Sequence, residues 1–304
     1  MQYFIKAIGE FIMKNTVCAV IITYNCDENF LNTFNSVVNQ VGKIVIVDNG
    51  SNKNTINMLK NIEKENDVQL ILCEENLGIA AALNKGVKYA LNNGYDWIIT
   101  LDHDSNLKDD MVMKLLKGYN SLNDIEKEKV VSLLPRYIEL GLNVDKQLNK
   151  EQEYIKYIEG GITSGNIVSR KAFEEVGLFD EKLFIDFVDY DFCFRIKEHG
   201  YDIVEVSDAI LFHRIGETKE GRFFFKKVSA TNHSPVRRYY ITRNRIYCWK
   251  KYKNIVPESI KFDKSCALKE TIKILLYEEK KFTKIKMIFK GIHDSNKGIF
   301  GKFD

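Results

Sequence analysis

Apolar and polar positions follow two alternating patterns along the first hundred residues of the chain. Short runs rich in Val and Ile predict buried strands at 17–24, 43–48, 68–73 and 97–101. Between these runs, apolar residues at helical spacing predict helices at 29–40, 52–65 and 78–91. Strands that are apolar throughout and alternate with helices predict a parallel, doubly wound sheet that is covered on both faces.

The second half of the chain mixes shorter strands with helices. Strands are predicted at 130–134, 154–158, 162–169, 203–206 and 209–213, and helices at 170–176 and 189–199. From Pro235 onward the apolar spacing is helical and basic residues are frequent. We therefore predict an N-terminal extension at 1–16, an α/β domain at 17–234 and basic amphipathic helices at 235–304.

The first residues have a helical face and lack a targeting signal. Apolar side chains recur at helical spacing at Phe4, Ile5, Ile8, Phe11 and Ile12. Since neither a basic leader nor a small-residue cleavage site is present, a signal peptide is not expected. We expect either an optional extension at residues 1–12 or, preferably, a short helix that packs on the body. Throughout the chain, no apolar run reaches the ~18 residues that a membrane span needs.

Composition and charge exclude several classes of protein. Hydrophobic residues make up 45% of the 304 residues and the net charge is only +3, which excludes global disorder. Residues 261–304 contain 11 Lys against 6 acidic residues, whereas acidic residues are in slight excess elsewhere. A basic tail on a nearly neutral body is unlike a nucleic-acid-binding face, so no nucleic-acid partner is expected. Six dispersed cysteines without a C-x-x-C pair predict a reduced, cytoplasmic protein.

Polar residues gather where the first four predicted strands end. These strand ends are Thr23-Tyr24-Asn25, Asp48-Asn49-Gly50-Ser51, Glu75-Asn76-Leu77-Gly78 and Asp102-His103-Asp104-Ser105. In an open α/β sheet, ligands bind outside the carboxyl ends of the strands. A single polar ending is explained equally well as a turn or a helix cap, but four in succession favour a cleft.

The candidate chemistry at this cleft involves a metal ion and phosphate. No G-x-G-x-x-G follows the first strand and no G-x-x-x-x-G-K-[ST] occurs, which excludes dinucleotide-binding and P-loop motifs. Asp102 and Asp104 offer carboxylate oxygens of the kind that Mg²⁺ and Mn²⁺ prefer, and such an ion could neutralise a diphosphate. The alternative is that Asp104 only caps the following helix.

Several runs together resemble the family-2 inverting glycosyltransferases of the GT-A fold. These runs are VIITYN, VDNGS, ENLGIAAALNKG, LDHDS and VGLFDEKLFIDFVDYDFCFR, the last resembling the segment that carries the catalytic base. The Arg243-Asn244 pair and the ending KMIFKGIHDSNKGIFGK resemble the rhamnosyltransferase subgroup. The resemblance implies a GT-A-type, mostly parallel sheet with a Rossmann-like nucleotide-binding half, a mixed acceptor half and a C-terminal helical appendage.

The same resemblance implies an activity. It is the transfer of a sugar, expected to be L-rhamnose from dTDP-L-rhamnose, onto a surface-polysaccharide acceptor with inversion. One alternative is transfer of another sugar from a UDP donor. A second is a sugar-nucleotide-binding protein without catalysis, which is favoured only by Val188, where the family often has Glu.

The resemblance also assigns roles to individual residues. Those expected to bind the nucleotide sugar are Thr23, Tyr24, Asn25, Asp48, Asn76, Gly78, Asn84, Asp102, Asp104 and Ser164. Those expected to hold Mg²⁺ or Mn²⁺ are Asp104, Asp102 and His213. Asp186, Arg243 and Asn244 are assigned to the acceptor or the diphosphate. For His213 and Ser164, a purely structural role is an equally good interpretation.

Inverting transfer needs a carboxylate that takes the proton of the acceptor hydroxyl. The candidates are Asp186, Asp189 and Asp191, and we expect Asp189, near the start of a helix whose dipole keeps it ionised. Asp191 lies on a different face, at the spacing for an ion pair with Arg195. Asp186 precedes the helix and would serve the acceptor or only a turn.

Basic and apolar residues near the end of the chain suggest a partner. Residues 237–253 contain seven Lys or Arg, no acid and several aromatic residues, which suits a lipid-linked acceptor at the headgroup zone of a membrane. Farther on, Lys alternates with apolar residues at helical spacing: Leu268, Ile272, Leu275, Leu276, Phe282, Ile285, Ile288 and Phe289. This pattern predicts either peripheral contact with the inner face of the cell membrane or packing on the body or in a homodimer.

Overall fold

The computed structural model describes residues 15–140, 144–149, 152–213, 219–223, 226–230 and 232–303. The helix expected at residues 1–12 lies outside the described residues.

The first half of the chain forms the parallel part of the sheet. Its strands are β1 (Val17–Thr23), β2 (Lys43–Asp48), β3 (Val68–Leu72) and β4 (Trp97–Asp102). They pair in the order β3-β2-β1-β4, and each of these pairs is parallel. The connecting helices are α1 (Phe30–Val37), α2 (Lys53–Glu65) and α3 (Ile79–Asn92). The predicted alternation of buried strands and helices is confirmed, and the carboxyl ends of these strands meet at one edge.

The second half of the chain adds strands in both directions. They are β5 (Asn106–Leu107), β6 (Val130–Glu139), β7 (Ile155–Ile158), β8 (Asn166–Ser169) and β9 (Asp202–His213). The sheet continues in the order β4-β8-β6-β9-β5, with β7 also paired to β9. β8 is antiparallel to both of its neighbours, whereas β6 and β9 are parallel. The two strands predicted at 203–206 and 209–213 are one, because β9 stays paired with β6 across a register shift at Pro135 and Arg136.

Further helices cover this mixed half. They are α4 (Met111–Ser121), α5 (Asp124–Lys129), α6 (Val144–Leu148), α7 (Arg170–Glu175), a 3₁₀ turn (Glu181–Leu183) and α8 (Val188–Glu198). The sequence analysis assigned no element to α4. Its buried residues Met111, Val112, Leu115 and Leu116 nevertheless have helical spacing, and the helix packs on β9 and β6.

Neighbouring residues along a strand pack on opposite faces of the sheet. Ala19 and Ile21 belong to one buried apolar cluster, which includes the inner side of α1 and α4. Val20 and Ile22 belong to another, which includes α3 and α8. Both faces are therefore covered, as the fully apolar strands predict.

The chain ends in three helices. A short hairpin of β10 (Lys219–Phe223) and β11 (Lys226–Ala230) precedes α9 (Pro235–Tyr252), α10 (Pro257–Tyr277) and α11 (Lys281–Lys297). The Ser234 hydroxyl accepts a bond from the Arg237 amide at 3.2 Å, which caps α9. Within the described part of the chain, no helix combines the length and the apolar character that crossing a membrane requires. The division of the chain at residues 16 and 234 stays a prediction.

Candidate active site

A cavity of about 470 Å³ opens beside the end of β4. Asp102, the last residue of β4, lines it together with Asp186 and Asp189, which lie just before and within the first turn of α8. Side chains of α9 and α10 form the opposite wall. The structure therefore brings three of the sequence-predicted carboxylates into one space.

Asp189 lies at the start of α8, as expected, but its carboxylate is not held ionised. Burial, together with the negative charges of Asp186 and Asp102, raises the pKa of Asp189 to about 7. The amide of Tyr190 donates to Asp189 Oδ1 at 2.8 Å and opposes this change. The dipole of the first helical turn was expected to keep this carboxylate ionised, and loss of water acts against that field and raises the pKa.

Asp191 is part of the structural core. Its side chain has no exposed surface, and Arg195 Nε donates to its Oδ2 at 2.9 Å, as the i,i+4 spacing predicted. Tyr252 donates to Oδ1 at 2.6 Å, and Lys251 Nζ lies 3.5 Å from the same oxygen. With both oxygens paired away from the cavity, Asp191 cannot reach an acceptor.

Asp186 faces the cavity and is paired with a base from α9. The Arg237 guanidinium donates to Asp186 Oδ1 at 3.1 Å. Burial raises the pKa of Asp186, and the neighbouring Arg237 opposes this effect. The pair leaves Asp186 with less freedom than Asp189 to accept a proton.

The two carboxylates of the D-x-D pair point to different spaces. Asp102 lines the cavity, whereas Asp104 is exposed and lines a second space of about 360 Å³ with His103 and Asn25. Among the described residues, no group of three or more His, Cys, Asp or Glu side chains converges on a metal position. The side chain of His213, the third predicted ligand, lies outside the described part.

The ends of β1 and β2 form a connected polar network. Thr23 and Asp48 are fully buried, and the Thr23 hydroxyl donates to Asp48 Oδ1 at 3.1 Å. The amide of Ser51 donates to Asp48 Oδ2 at 2.9 Å. Contact of Asp48 with a pyrimidine ring stays a prediction, and it requires that one of these partners move.

The neighbouring residues Tyr24 and Asn25 differ in accessibility of their polar groups. The ring of Tyr24 is 45% exposed. Asn25 has a left-handed backbone with φ of 49°, and its side-chain oxygen accepts bonds from the backbone and side chain of Asn52 at 2.9 Å. Both residues are exposed; the side-chain oxygen of Asn25 is engaged by Asn52, whereas the ring of Tyr24 offers apolar surface for a base or ribose.

The loop after β3 is shaped by Asn76 and Gly78. Asn76 Oδ1 accepts a bond from the Gly78 amide at 2.9 Å. Gly78 has φ of +87°, and a Cβ at this position would lie 2.6 Å from the ring and the carbonyl of Phe184. Gly78 therefore fits the close approach of this loop to the segment before α8.

Two residues assigned to the donor have structural partners instead. Asn84 is buried: its Nδ2 donates to the Phe179 carbonyl at 2.9 Å and to Glu181 Oε1 at 2.8 Å, and its Oδ1 accepts from the Phe179 amide at 3.0 Å. Ser164 is also buried; it accepts from the Asp102 amide at 3.1 Å and donates to Ser105 at 2.7 Å. Both side chains are buried and hold neighbouring segments together, and their contact with the donor stays a prediction.

Arg243 and Asn244 likewise do not face the cavity. Both side chains are fully buried in α9 and bond backbone carbonyls at 182–186. Their assignment to the acceptor or the diphosphate was wrong, because neighbouring backbone occupies the space that a substrate group would need.

Val188 is also part of the buried core. Its side chain is buried in the apolar cluster with α3 and α8, at the edge of the cavity. A Val at this position is explained by packing, so it does not indicate loss of the active site.

Sequence reasoning missed the cavity wall formed by the last helices. The polar residues on it are His233, Arg237, Arg238, Arg245, Glu270, Lys273 and Glu278. Arg238 donates to Glu278 at 2.7 Å, and burial lowers the pKa of His233 to about 4. The basic run at 237–253 was a signal for this wall, but its charge was attributed to a membrane face.

Comparison with known proteins identifies the family. Residues 18–175 match the model described as "Glycosyl transferase family 2", which is more than half of the chain. The chain belongs to glycosyl transferase family 2. The glycosyltransferase is 34% identical over 267 residues to "dTDP-rhamnosyl transferase RfbF" of Shigella flexneri, covering 81% of this chain and 83% of that protein.

Other relatives and solved structures agree with this family. The glycosyltransferase is 22% identical over 227 residues to "Low-salt glycan biosynthesis hexosyltransferase Agl10" of Haloferax volcanii, covering 68% of this chain and 70% of that one. The structure of GalNAc-T7 with UDP, GalNAc and Mn²⁺ matches with a TM-score of 0.57 at 18% identity, covering 79% of this chain and 49% of that chain. The glycosyltransferase thus spans about half the length of that neighbour.

A further neighbour is S. aureus TarS 1–349 in complex with UDP. It matches with a TM-score of 0.51 at 13% identity, covering 91% of this chain and 71% of that chain. Both likenesses concern the fold, and the predicted GT-A fold is confirmed.

Proposed function

We propose that this glycosyltransferase moves L-rhamnose from dTDP-L-rhamnose to a saccharide acceptor, with inversion and with Asp189 as general base. The observation that carries the proposal is the placement of Asp189 opposite the strand-end carboxylate Asp102 in one cavity. The printed name of the Shigella flexneri relative supports rhamnose as the sugar, since the similarity extends over most of both chains.

In the proposed reaction the oxygen of an acceptor hydroxyl attacks the anomeric carbon of the donor and forms the new glycosidic bond. The bond between that carbon and the diphosphate oxygen breaks, and dTDP leaves with the electron pair. The hydroxyl proton passes to Asp189, whose pKa near 7 suits a base that works at neutral pH. Attack from the side opposite to the leaving group inverts the configuration.

The donor is assigned to the carboxyl ends of the parallel strands. Tyr24 offers an open ring for the nucleoside, and Asp48 offers a carboxylate that can accept from a pyrimidine N–H once a present partner moves. The loop at Asn76 and Gly78 would border the ribose and diphosphate. In this assignment the anomeric carbon of the donor would lie toward Asp102 and Asp189.

A divalent cation, Mg²⁺ or Mn²⁺, suits the carboxylate oxygens of Asp104 and Asp102, and one ion would contact both only if a side chain turned, since the two carboxylates now line different spaces. Mg²⁺ is usually held by one or two carboxylates together with substrate phosphates and water, so a third protein ligand in the described region is not required. His213 stays a proposed ligand. The cation supplies neutralisation of the charge on the leaving diphosphate when it is bound. One structural neighbour was solved with UDP and Mn²⁺.

The acceptor is proposed to be carried by a lipid at the inner face of the cell membrane. Large apolar side chains are exposed on α10 and α11, a surface that we call the outer face: Phe262, Leu268, Ile272, Leu275, Leu276, Phe282 and Phe289. Exposed lysines lie among them at Lys261, Lys264, Lys269, Lys286 and Lys290. Apolar groups next to cations suit an anionic bilayer.

The acidic side chains in the middle of α10 and α11 do not cancel the positive charge of the outer face. Glu270 pairs with Arg245 at 3.0 Å, and Asp263 lies 3.1 Å from the same guanidinium. Asp294 is buried and accepts from Tyr239 at 2.7 Å. The outer face is thus basic and apolar, while the acids pair inward.

Flotation with anionic vesicles tests the membrane contact. The double substitution Phe282→Ser, Phe289→Ser should remove binding, because Phe282 is 94% exposed and Phe289 66%. Ile125→Ser, at a side chain that is 73% exposed on α5, is the matched control and should bind like the parent. If the protein does not bind the vesicles and its molecular mass in solution rises with protein concentration, the outer face is a homodimer interface instead.

The experiment that tests the function is a donor panel with a defined rhamnose-accepting glycan. We expect product from dTDP-L-rhamnose, with the inverted anomeric configuration seen by NMR, and little or none from UDP sugars. Faster product formation from a UDP sugar than from dTDP-L-rhamnose would show that the donor is that UDP sugar. Binding of nucleotide sugars without transfer or donor hydrolysis would indicate a binding protein.

A further inference from the structure

The segment that leads into Asp189 has a strained backbone. Phe184, Asp186 and Phe187 all have positive φ, at 64°, 63° and 65°, although none of them is glycine. Side chains with a Cβ rarely adopt such angles, which persist only where the surrounding structure enforces them. The segment 184–187 contributes three residues to the cavity and directly precedes the first turn of α8.

Asn244 bonds three carbonyls of this region. Its Nδ2 donates to the carbonyls of Leu183 at 2.9 Å, Ile185 at 2.8 Å and Asp186 at 2.8 Å. Its Oδ1 accepts from Arg243 Nε at 3.0 Å, which fixes the orientation of the amide. One buried amide, whose two N–H groups are shared among three carbonyls, thus holds the backbone at residues 183, 185 and 186.

Arg243 also attaches the backbone at residue 183 to α9. Its Nη2 donates to the Leu183 carbonyl at 3.0 Å, and its Nη1 donates to the Gly301 carbonyl at 2.8 Å. The amide of Gly301 donates to the Lys182 carbonyl at 2.8 Å. The ring of Phe300 lies 5.3 Å from the Arg243 guanidinium. Residues 300–301 therefore pack against the Arg243 side chain and accept a bond from its guanidinium.

The opposite side of the segment is held by the loop after β3. The Ile79 amide donates to the Phe184 carbonyl at 2.7 Å, and the Phe184 ring stacks on Tyr240 with centroids 5.3 Å apart. The Phe303 amide donates to the Tyr240 hydroxyl at 2.6 Å. The strained segment is thus fixed between α3, α9 and residues 300–303.

We propose that Asn244 and Arg243 are positioning residues that hold segment 184–187 in its left-handed conformation and thereby aim Asp189 at the acceptor. This inference rests on the proposed role of Asp189 as the base. Neither side chain touches substrate, since both are buried against backbone. Their effect must pass through the start of α8, where a displacement of about 1 Å is enough to cost ~10²-fold in rate.

A double-mutant cycle on kcat tests this role. Asn244→Ala removes the three carbonyl bonds, and we expect kcat to fall by ~10- to 100-fold while the donor Kd from calorimetry changes by less than about twofold. In an Asp189→Asn background the same substitution should lower kcat by less than about threefold, because the aimed carboxylate is already gone. Arg243→Lys should give a smaller loss in the same direction and replaces Asn244→Ala in the cycle if that variant does not fold.

Thr242→Ala is the matched control. Its hydroxyl donates to the Arg238 carbonyl of its own helix and, among the described residues, bonds none of segment 184–187, so kcat should stay at the parent value. Equal losses from Asn244→Ala in both backgrounds, or a loss confined to KM, would overturn the positioning role. If Asp189→Asn keeps its turnover, the base assignment fails and the positioning role fails with it. If Asp189→Asn is inactive but Asn244→Ala is not, only the positioning role fails.

Discussion

Asp189→Asn should lower activity and raise stability, and the gain in stability should depend on pH. The folded protein holds the pKa of Asp189 near 7, above its ordinary value of 3.8, because burial and the charges of Asp186 and Asp102 disfavour the ionised form. Below pH ~4 the carboxyl is protonated in both folded and unfolded states. Between pH ~4 and 7 the unfolded chain ionises first, so stability falls as pH rises.

The magnitude follows from the difference between the two pKa values. Three pH units at about 1.36 kcal/mol each set an upper limit of ~4 kcal/mol. Because the side chain is half-buried and water reaches it from the cavity, we expect a penalty of ~2 kcal/mol in the parent above pH 7. Asn has the same shape and does not ionise, so the variant does not lose this free energy of unfolding above pH 7.

Urea denaturation at pH 4.5, 6, 7 and 8, without added metal, measures the effect. The variant should match the parent at about pH 4 and exceed it by ~2 kcal/mol at pH 8, while kcat at pH 8 falls by ~10²-fold or more. Titrating groups that do not interact with Asp189 cancel in the difference between the two proteins, whereas Asp186 and Asp102 lose a neighbouring negative charge in the variant and add to its gain at high pH.

Asp191→Asn is the control, two residues away. It weakens the contacts with Arg195, Tyr252 and Lys251, so it should lose ~3 kcal/mol throughout this pH range. A stability change in Asp189→Asn that is the same at pH 4.5 and pH 8, or negative at pH 8, would refute burial as the cause of the raised pKa.

Three further predictions follow from the site. The parent's kcat/KM should rise with pH through about 7 and level off above it, as initial rates across pH 5.5–9 would reveal, since the base must be ionised. Asp104→Ala should abolish Mn²⁺-dependent donor binding in calorimetry while costing ~1 kcal/mol of stability or less, and activity retained in EDTA would contradict it. Gly78→Ala should lower the melting temperature and kcat together, because its φ is +87° and a Cβ would meet Phe184; unchanged values would contradict the close approach.

Much of the parallel half was determined by local pattern. Buried strands such as β1 and β2 are apolar along their middle, and the polar residues where they end define the edge where ligands are expected to bind. The pair Asp191–Arg195 was equally predictable, since one helical turn joins the two residues. Such features depend on residues a few positions apart, which the sequence displays directly.

Only the tertiary structure decided which polar residues face the cavity and which support it. Asn84 bonds Phe179, 95 positions away, and Asn244 bonds Leu183, 61 positions away, so their partners cannot be read from neighbours in sequence. The raised pKa of Asp189 was not predicted, for the same reason. The helix dipole is local and visible in sequence, whereas burial beneath α9 and α10 and the charges of Asp186 and Asp102 arise only when distant segments pack together.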